Sequence, residues 1–513
     1  MLSKQLLKST AIVSFMTMLS RIMGFIRDML LARLFGADAA TDVFFIAFKI
    51  PNFLRRLFAE GAFSQAFVPV LAEYKEQHGK EALKQFVDRV GGSLALVLIA
   101  LTIVGVVAAP VIIMVFAPGF LWEQSGQYDL AVALLRLTFP YLFFISSVAF
   151  AGGILNTFGK FVVPAFTPVF LNLCLIGAAI WLAPLMNEPV MALAWGVFAA
   201  GIVQLLFQFP ALMRLGLLPR LRFGFKDSGV KKIMSLMLPA LFGASVTQIN
   251  LLLDTVIASF LATGSISWLY YSDRLVEFPL GVFGVALATV ILPRLSKNYA
   301  TRDDKSFSNA LDWGLRWVVI IGVPASIGLG LLAEPMLSTL FQYENFTHHD
   351  VVMAGRSLFA YALGLLGFVL IKVLVPGFTS RQDMKTPVKF GVYAMGFNMV
   401  LNICLVFPLA HAGLALATSI SAFLNAGLLL GTLLKQKIFI PNKGWGIFMV
   451  RVLIANVAMG GVLYHFVYGA NWSEWQMEQR IFELIRWIAV GFSVYFGVLL
   501  VFGLRLRHLR GAT

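Results

Sequence analysis

Long apolar stretches recur along almost the whole chain, and they limit its folds more than any other feature. Stretches such as 91–116 and 162–184 contain no charged residue, and a helix of about 20 apolar residues crosses the hydrocarbon core of a bilayer. Hydrophobic residues make up 59% of the 513 positions and charged residues 13%, which is unlike a soluble domain. Because a single segment in lipid satisfies its own backbone hydrogen bonds only as a helix, we predict an all-α integral membrane protein.

These stretches predict about fourteen transmembrane helices. Their boundaries are set where charged and turn-forming residues return. The predicted spans lie near residues 10–35, 41–70, 91–116, 131–155, 162–184, 189–213, 233–262, 268–296, 312–334, 354–378, 387–409, 412–434, 447–469 and 483–505.

Lysine and arginine concentrate in every second loop between the spans, as in 75–89, 214–232 and 294–305, whereas the intervening loops are mainly acidic. Because basic loops stay on the cytoplasmic side of a membrane, we predict that both termini are cytoplasmic, which requires an even number of spans. Topology thus explains the net charge of +15. We expect no nucleic-acid partner, since no single basic face is formed.

Short strings recur at an offset of about 220 to 230 residues, which indicates a duplicated unit. The pairs are Leu171–Leu175 with Leu401–Leu405, Phe67–Pro69 with Ile291–Pro293, and Gly159–Lys160 with Met384–Lys385. Six predicted helices separate the members of each pair, so the halves are expected to be parallel repeats. The predicted domains are an N-terminal six-helix lobe, a C-terminal six-helix lobe and two additional helices, at 1–225, 226–440 and 441–513.

Several charged residues lie inside the predicted spans. A Lys or Arg at the centre of a span costs about 2.5 to 3.5 kcal/mol on the insertion scale, so such residues usually face a water-filled interior and serve a function. With their polar neighbour Asn52, they are Arg21, Arg27, Asp28, Asp42, Lys49, Arg55, Arg56, Glu60, Asp273, Arg274, Glu277 and Lys372.

Four arginines of this set are the candidate substrate ligands, namely Arg21, Arg27, Arg55 and Arg274. These four positive charges outnumber the acidic side chains placed to neutralise them. If the arginines line one cavity, its excess positive charge requires an anionic ligand. Guanidinium groups bind phosphate through paired hydrogen bonds, so we expect a phosphate or pyrophosphate ligand. The alternatives are an internal ion pair, such as Arg27 with Asp28, or a side chain that snorkels to the interface.

Helical spacing restricts how these charges can cooperate. Lys49, Asn52 and Arg56 fall on one face of an ideal α-helix. Arg21 and Arg27 are six residues apart, about 240° around the helix axis. These two arginines therefore share one cavity only if it is broad or if the helix bends.

No catalytic pattern competes with a transport function. The six histidines are scattered, and the chain has no phosphate-binding loop, zinc-ligand spacing or nucleophile elbow. Cys174 and Cys404 both lie in apolar stretches, where cysteine packs as a small hydrophobic residue. We therefore predict that the chain is not an enzyme.

Five longer strings surround the residues named above: Ser20–Asp28, Phe48–Arg56, Glu60–Pro69, Tyr270–Leu275 and Pro376–Asp383. Together they resemble the signature of the bacterial MurJ lipid II flippase family, and the likeness extends over essentially the whole chain.

The resemblance implies the fourteen-helix fold of the MOP exporter superfamily and a place in the bacterial inner membrane. It implies transport of lipid II, an undecaprenyl-pyrophosphate-linked disaccharide-pentapeptide, from the cytoplasmic to the periplasmic leaflet. Arg21, Arg27 and Arg274 match the family's cavity arginines, expected to hold the pyrophosphate, and Arg55 matches another required arginine. The last two helices would form a groove for the isoprenoid tail. Matches to polar positions of the cavity or its gates are Asp28, Asp42, Asn52, Glu60 and Glu277.

Some members of this family bind sodium between helices seven, eleven and twelve. The corresponding positions here are Asp254, Asn398, Asn402 and Thr418. Asn402 stands where a second carboxylate is expected, which weakens a site for a hard cation. Sodium is thus the one cofactor that the resemblance suggests, and the alternative is a set of polar residues that bond helix to helix.

Alternating access, in which one half rocks against the other, is the expected mechanism. A flippase for another lipid-linked glycan is a close alternative, because a pyrophosphate site does not identify the sugar. A cation-coupled multidrug exporter of the same superfamily would need a cavity dominated by carboxylates. A non-transporting scaffold for the cell-wall synthesis machinery, itself an expected partner of a flippase, would tolerate neutral residues in place of the arginines.

Overall fold

The computed structural model describes residues 4–122, 126–467 and 469–503, with 4–11, 58–61, 240, 242–248 and 251 described by their backbone only. This part of the chain consists of helices joined by turns and loops. The α-helices are α1 (Lys4–Phe35), α2 (Ala39–Leu54), α3 (Ser64–Gln77), α4 (Lys80–Val107), α5 (Ala109–Phe116), α6 (Gln127–Thr138), α7 (Tyr141–Thr157), α8 (Val162–Phe166), α9 (Pro168–Gly177), α10 (Pro189–Leu215), α11 (Ser228–Ala258), α12 (Ser265–Pro279), α13 (Val285–Ala300), α14 (Asp304–Leu331), α15 (Ala333–Leu340), α16 (His348–Thr379), α17 (Lys385–Leu409), α18 (His411–Lys435), α19 (Trp445–Val467) and α20 (Met477–Val501).

Three of the long helices change locally to π geometry, at Arg55–Phe63, Ala178–Leu182 and Leu280–Gly284. Pro51 lies one turn before the first stretch, and Pro279 directly precedes the third. Proline removes a helical hydrogen bond, and π turns are rare and frequent at functional sites. Side chains on these stretches therefore leave the register of an ideal α-helix.

Eleven helices in the described residues are long and apolar enough to cross a membrane. They correspond to all the predicted spans except the first, second and seventh, which are α1, α2–α3 and α11. The helices α1 and α2 carry the intramembrane charges that lower their hydropathy. The all-α membrane fold class is confirmed, and the count of fourteen stays a prediction.

The chain forms two compact units, Met1–Gly264 and Ser265–Thr513. The first includes α11, which the repeat analysis assigns to the second lobe. The compact units are defined by contacts between residues, whereas the predicted lobes are defined by repeated sequence strings. The contacts therefore do not test the predicted lobe boundary at residue 225, which stays a prediction.

In the first unit, an aromatic core holds the end of the π stretch Arg55–Phe63. The ring of Phe67, which is fully buried, lies 5.2 Å from Phe63, 4.9 Å from Phe150 and 6.3 Å from Phe86. Aromatic pairs at these separations add stability beyond the area that they bury. The rings come from α3, α4 and α7, so the segment after Arg55 is fixed at its far end.

In the second unit, polar contacts tie α12 to α16. The indole Nε1 of Trp268 donates to Asp350 Oδ1 at 2.8 Å, and Ser272 Oγ donates to the Ala354 carbonyl at 2.7 Å. All four groups are in a buried environment, where such bonds specify one arrangement. These contacts position the helix that carries Arg274.

Candidate functional site

Arg27 of α1 is buried and hydrogen-bonded on two sides. Its Nη2 lies 2.5 Å and its Nε 3.0 Å from Asp28 Oδ1, and its Nη1 donates to Asn172 Oδ1 at 3.0 Å. Only 6% of Arg27 and 2% of Asp28 are exposed. The structure thus contains the internal ion pair that the sequence analysis gave as the alternative for this residue. Arg27 is therefore a paired guanidinium whose orientation is fixed.

Asn172 of α9 is the residue that sequence reasoning missed. It accepts from Arg27, and its Nδ2 donates to the Ser20 carbonyl of α1 at 3.1 Å. A Cβ placed on Gly24 would lie 3.6 Å from the same amide, so a small residue there lets α1 and α9 approach closely. The repeated string Leu171–Leu175 contains this asparagine and could have identified it.

Arg21 lies on another side of α1 from Arg27. Its side chain is exposed and makes no hydrogen bond or ion pair with the part of the chain that the structure describes. The difference in burial follows from the six-residue spacing along a continuous helix. Of the two candidate substrate ligands on α1, Arg21 is therefore the accessible one and Arg27 is the buried, positioned one.

Arg55 begins the first π stretch and is oriented by the last turn of α2. Its Nε donates to Asn52 Oδ1 at 2.8 Å, while Arg56 is exposed. The shared face of Asn52 and Arg56 that the spacing indicates stays a prediction. The side chain of Glu60 lies outside the described residues.

Lys49 and Asp42 connect α2 to α11 and to the loop that follows it. Lys49 Nζ donates to Thr255 Oγ1 of α11 at 2.5 Å. Asp42 Oδ2, which is buried, accepts from the backbone N–H of Gly264 at 2.7 Å. Asp42 therefore secures the segment after α11 to the start of α2.

In the second unit, Arg274 is held within its own helix and is half-exposed. Its Nη1 lies 2.8 Å from Glu277 Oε2, its Nη2 donates to the Tyr270 hydroxyl at 3.1 Å, and its guanidinium lies 5.0 Å from the Tyr270 ring centroid. Asp273 is exposed. The exposed ion pair is a weak restraint, so Arg274 is freer to meet a ligand than Arg27.

Lys372 of α16 lies beside the π stretch Leu280–Gly284. A Cβ placed on Gly284 would lie 3.5 Å from Lys372 Cγ, which shows that the aliphatic stem of the lysine packs there. The ammonium end is exposed. Lys372 is thus associated with the helix of Arg274.

The candidate sodium ligands of the second unit form a hydrogen-bonded chain. Asn402 Nδ2 donates to Asn398 Oδ1 at 3.0 Å, and Asn398 Nδ2 donates to Thr418 Oγ1 at 3.4 Å. Both asparagines are fully buried, whereas Asp254 belongs to α11 in the first unit. Amide and hydroxyl oxygens suit a hard cation, but Asn398 Oδ1 is already used by Asn402, as expected for helix-to-helix bonding. Sodium stays a prediction.

Comparison with known proteins gives one consistent result. The family model described as "Lipid II flippase MurJ" matches residues 31–482. A probable lipid II flippase MurJ of Vibrio cholerae is 49% identical, with 100% of this chain and 99% of that protein covered. The Lipid II flippase MurJ of Burkholderia cenocepacia is 41% identical, with 98% of this chain and 99% of that protein covered.

Two solved structures show the fold. A lipid II flippase MurJ in an inward closed conformation matches with a TM-score of 0.81 at 28% identity, over 96% of this chain and 98% of that chain. An inward-facing multidrug resistance MATE family transporter of the MOP superfamily matches with a TM-score of 0.68 at 15% identity, over 83% and 98%. The second match shows a shared scaffold only.

Proposed function

This chain belongs to the lipid II flippase MurJ family, and from this membership we propose that it carries lipid II from the cytoplasmic to the periplasmic leaflet by alternating access. The resemblance found in the sequence motifs is thereby confirmed. The protein is a multi-pass membrane transporter and not an enzyme. The proposal places it in the bacterial inner membrane with both termini in the cytoplasm.

The positive charge of the first two helices carries the proposal for the site. Residues 21–56 contain six arginines and lysines against three aspartates, and Asp42 is engaged by a backbone N–H. This net positive charge attracts an anion even when each aspartate pairs with one of the basic side chains. In a membrane interior such an excess is costly and is retained for a function.

Each arginine then has a distinct task in the proposed mechanism. Arg21, exposed, meets the pyrophosphate first. Arg27, held by Asp28 and Asn172, offers a fixed guanidinium whose ordering cost is met before the ligand arrives. Guanidinium forks match phosphate oxygens in geometry and charge, and the rocking of one half against the other would then expose the bound headgroup to the periplasm.

The test is complementation of a bacterial strain depleted of its own lipid II flippase. Wild-type chain and Arg27→Ala are produced at matched membrane levels, and the arrival of lipid II in the outer leaflet is measured with growth. We expect wild type to restore both and Arg27→Ala to insert normally but restore neither. A tenfold loss corresponds to about 1.4 kcal/mol, close to the lower end of the contribution of a hydrogen bond to a charged group, about 1.5 to 3 kcal/mol.

Arg136→Ala is the matched control, because Arg136 is an exposed arginine in α6 of the same unit. It should behave as wild type. If Arg27→Ala also behaves as wild type, the arginines do not form the transport site and the scaffold alternative is favoured. If wild type restores growth without lipid II transport, the substrate is another lipid-linked glycan or the role is indirect.

A further inference from the structure

The last two helices pack on α14 largely through apolar side chains. The shared core includes Val319 and Ile320 of α14, Val452 and Met459 of α19, and Tyr495 of α20. In a membrane such contacts hold helices together weakly, because lipid chains are as apolar as the side chains. Close packing and polar contacts therefore both contribute to the docking free energy.

Arg480 makes the most extensive of these polar contacts. Only 6% of this residue is exposed. Its guanidinium donates to four backbone carbonyls, those of Ser338 (2.9 Å), Gln342 (3.0 Å), Ser473 (2.8 Å) and Trp475 (2.9 Å). In the described residues no carboxylate contacts it. Arg480 thus joins α20 to the end of α15 and to the loop before α20.

The acceptors explain why an arginine is needed at this point. The last carbonyls of a helix have no partner within it, and Ser338 belongs to the last turn of α15. A cation there also interacts favourably with the helix dipole. Arginine has five N–H donors in a fixed plane, whereas lysine is a single point charge with three donors. A lysine could not satisfy carbonyls spread over two segments.

Two further contacts secure the pair elsewhere along α14. The Trp445 indole donates to Asp312 Oδ1 at 2.7 Å, and Arg316 pairs with the other carboxylate oxygen of Asp312 at 2.7 Å. The Tyr495 hydroxyl donates to the Ile320 carbonyl at 2.9 Å. The contacts thus fall at both ends and in the middle of the α14–α15 segment.

We propose that Arg480 is a positioning residue that keeps α19 and α20 docked on α14 and α15 throughout transport, so that these four helices move as one body. In this proposal the Arg480 guanidinium binds backbone carbonyls and does not bind the substrate. The effect on transport rests on the proposed lipid II function, whereas the docking itself does not.

The first experiment compares Arg480→Met and Arg480→Lys with wild type at matched membrane levels. Both variants leave carbonyls of α15 and of the loop without donors, so both should reduce the initial rate of lipid II transport by about tenfold or more. A variant with lysine that transports normally would show that charge alone is sufficient, and would overturn the proposal.

The second experiment restores docking by a covalent bond. A Cβ on Gly460 of α19 would lie 3.5 Å from Ile327 Cγ2 of α14, so these two neighbouring positions are chosen for the cross-link. Ile327→Cys and Gly460→Cys are combined with Arg480→Met in a chain whose Cys174 and Cys404 are replaced by serine. Transport is measured in spheroplasts after oxidation and again after reduction.

We expect the disulfide to return transport of the Arg480→Met chain to within about twofold of the cross-linked wild type, and reduction to abolish the gain. In a chain that retains Arg480 the disulfide should be harmless. If it blocks that chain, α19 must move against α14 and the proposal is wrong. If the cross-linked Arg480→Met chain stays inactive, Arg480 acts on the substrate. Failure of the wild type to transport lipid II would instead refute the proposed function.

Discussion

The second helix of each predicted half contains the same backbone interruption with different chemistry. In the first half, α2 passes through the π stretch Arg55–Phe63 into α3; in the second, α12 passes through Leu280–Gly284 into α13. Both stretches lie a similar distance before the paired prolines Pro69 and Pro293. The shared position supports the duplicated unit, because π turns are too rare to coincide often.

The difference lies in what the two interruptions carry. The first begins with two arginines, of which Arg55 is oriented by Asn52. The second stretch is apolar. The charged residues Arg274 and Glu277 lie before it, in α12. The interruption thus contains charged side chains in the first half, whereas in the second half it contains only apolar residues and glycine. The charged stretch is therefore expected to tolerate less change.

Deleting one residue from each π stretch is the strongest test of this comparison. Deletion of Ala59 lets the first stretch relax toward α geometry and moves Arg55 relative to α3. Because small displacements of binding groups are costly, we expect transport to fall about a hundredfold. The matched deletion of Val282 should reduce transport by about tenfold, since this stretch contains no charged side chain and the main change there is in packing.

Membrane levels and insertion are measured for both deletions, so that loss of the protein is not mistaken for loss of transport. Equal effects would show that the charges in the first stretch do not distinguish it. A larger effect of the Val282 deletion would reverse the comparison.

The partners of the two arginines allow a finer test. Asn52→Leu removes a hydrogen bond to a charged group, worth about 1.5 to 3 kcal/mol, so the rate at low lipid II concentration should fall about tenfold. Glu277→Gln changes an ion pair whose side chains are 32% and 46% exposed. Such pairs contribute about 0 to 1 kcal/mol, and we expect less than a threefold effect.

Initial rates at several lipid II levels separate binding from turnover for both variants. A loss confined to low concentrations would show that Asn52 positions Arg55 for binding. If Glu277→Gln lowers the transport rate more than Asn52→Leu does, Arg274 depends on its ion pair. The first half would then not be the one more sensitive to substitution.

Much of the fold follows from the sequence because long apolar stretches must be helices in lipid. The predicted span 189–213 corresponds to α10, Pro189–Leu215. The span at 91–116 instead divides, with α4 ending at Val107 and α5 starting at Ala109. Pro110, at the start of α5, explains this break. Proline also precedes two of the π stretches, at Pro51 and Pro279, but proline alone does not specify π geometry.

The sequence identified candidate residues of the site but not the partners that these residues contact. The rarity of charges in spans identified Arg27 and Arg55 from one sequence. The contact between Arg27 and Asn172 joins residues 145 positions apart, and that between Lys49 and Thr255 joins residues 206 apart. Spacing within a helix gives no information on such pairs. The sequence indicated no role for Arg480, because two of its four carbonyl partners, Ser338 and Gln342, lie 142 and 138 positions away.

The smallest expected effect concerns the connections before α8 and α17, which the repeat analysis pairs. Before α17, Asp383 accepts from the backbone N–H of Thr386 at 3.0 Å, and hydrogen bonds from the Thr386 side chain and backbone lower the pKa of Asp383 from its usual 3.8. The corresponding Gly159–Lys160 has no carboxylate. A lowered pKa means that the ionised carboxylate contributes stability above about pH 3.8, and that this contribution is lost as the pH falls through the lower folded-state pKa.

Thermal unfolding of purified Asp383→Asn and Asp383→Ala between pH 7 and pH 3 separates the two parts of this contribution. Asparagine retains a hydrogen-bond acceptor and removes the charge, so its deficit relative to wild type should shrink as the pH falls below about 3.8. Alanine also removes the cap, which costs about 1 kcal/mol, and that deficit should persist at every pH. Lys160→Ala, in the first half, should show no pH-dependent deficit over this range. A constant difference between wild type and Asp383→Asn would mean that the carboxylate stabilises α17 by hydrogen bonding alone, and that the two connections differ in capping but not in charge.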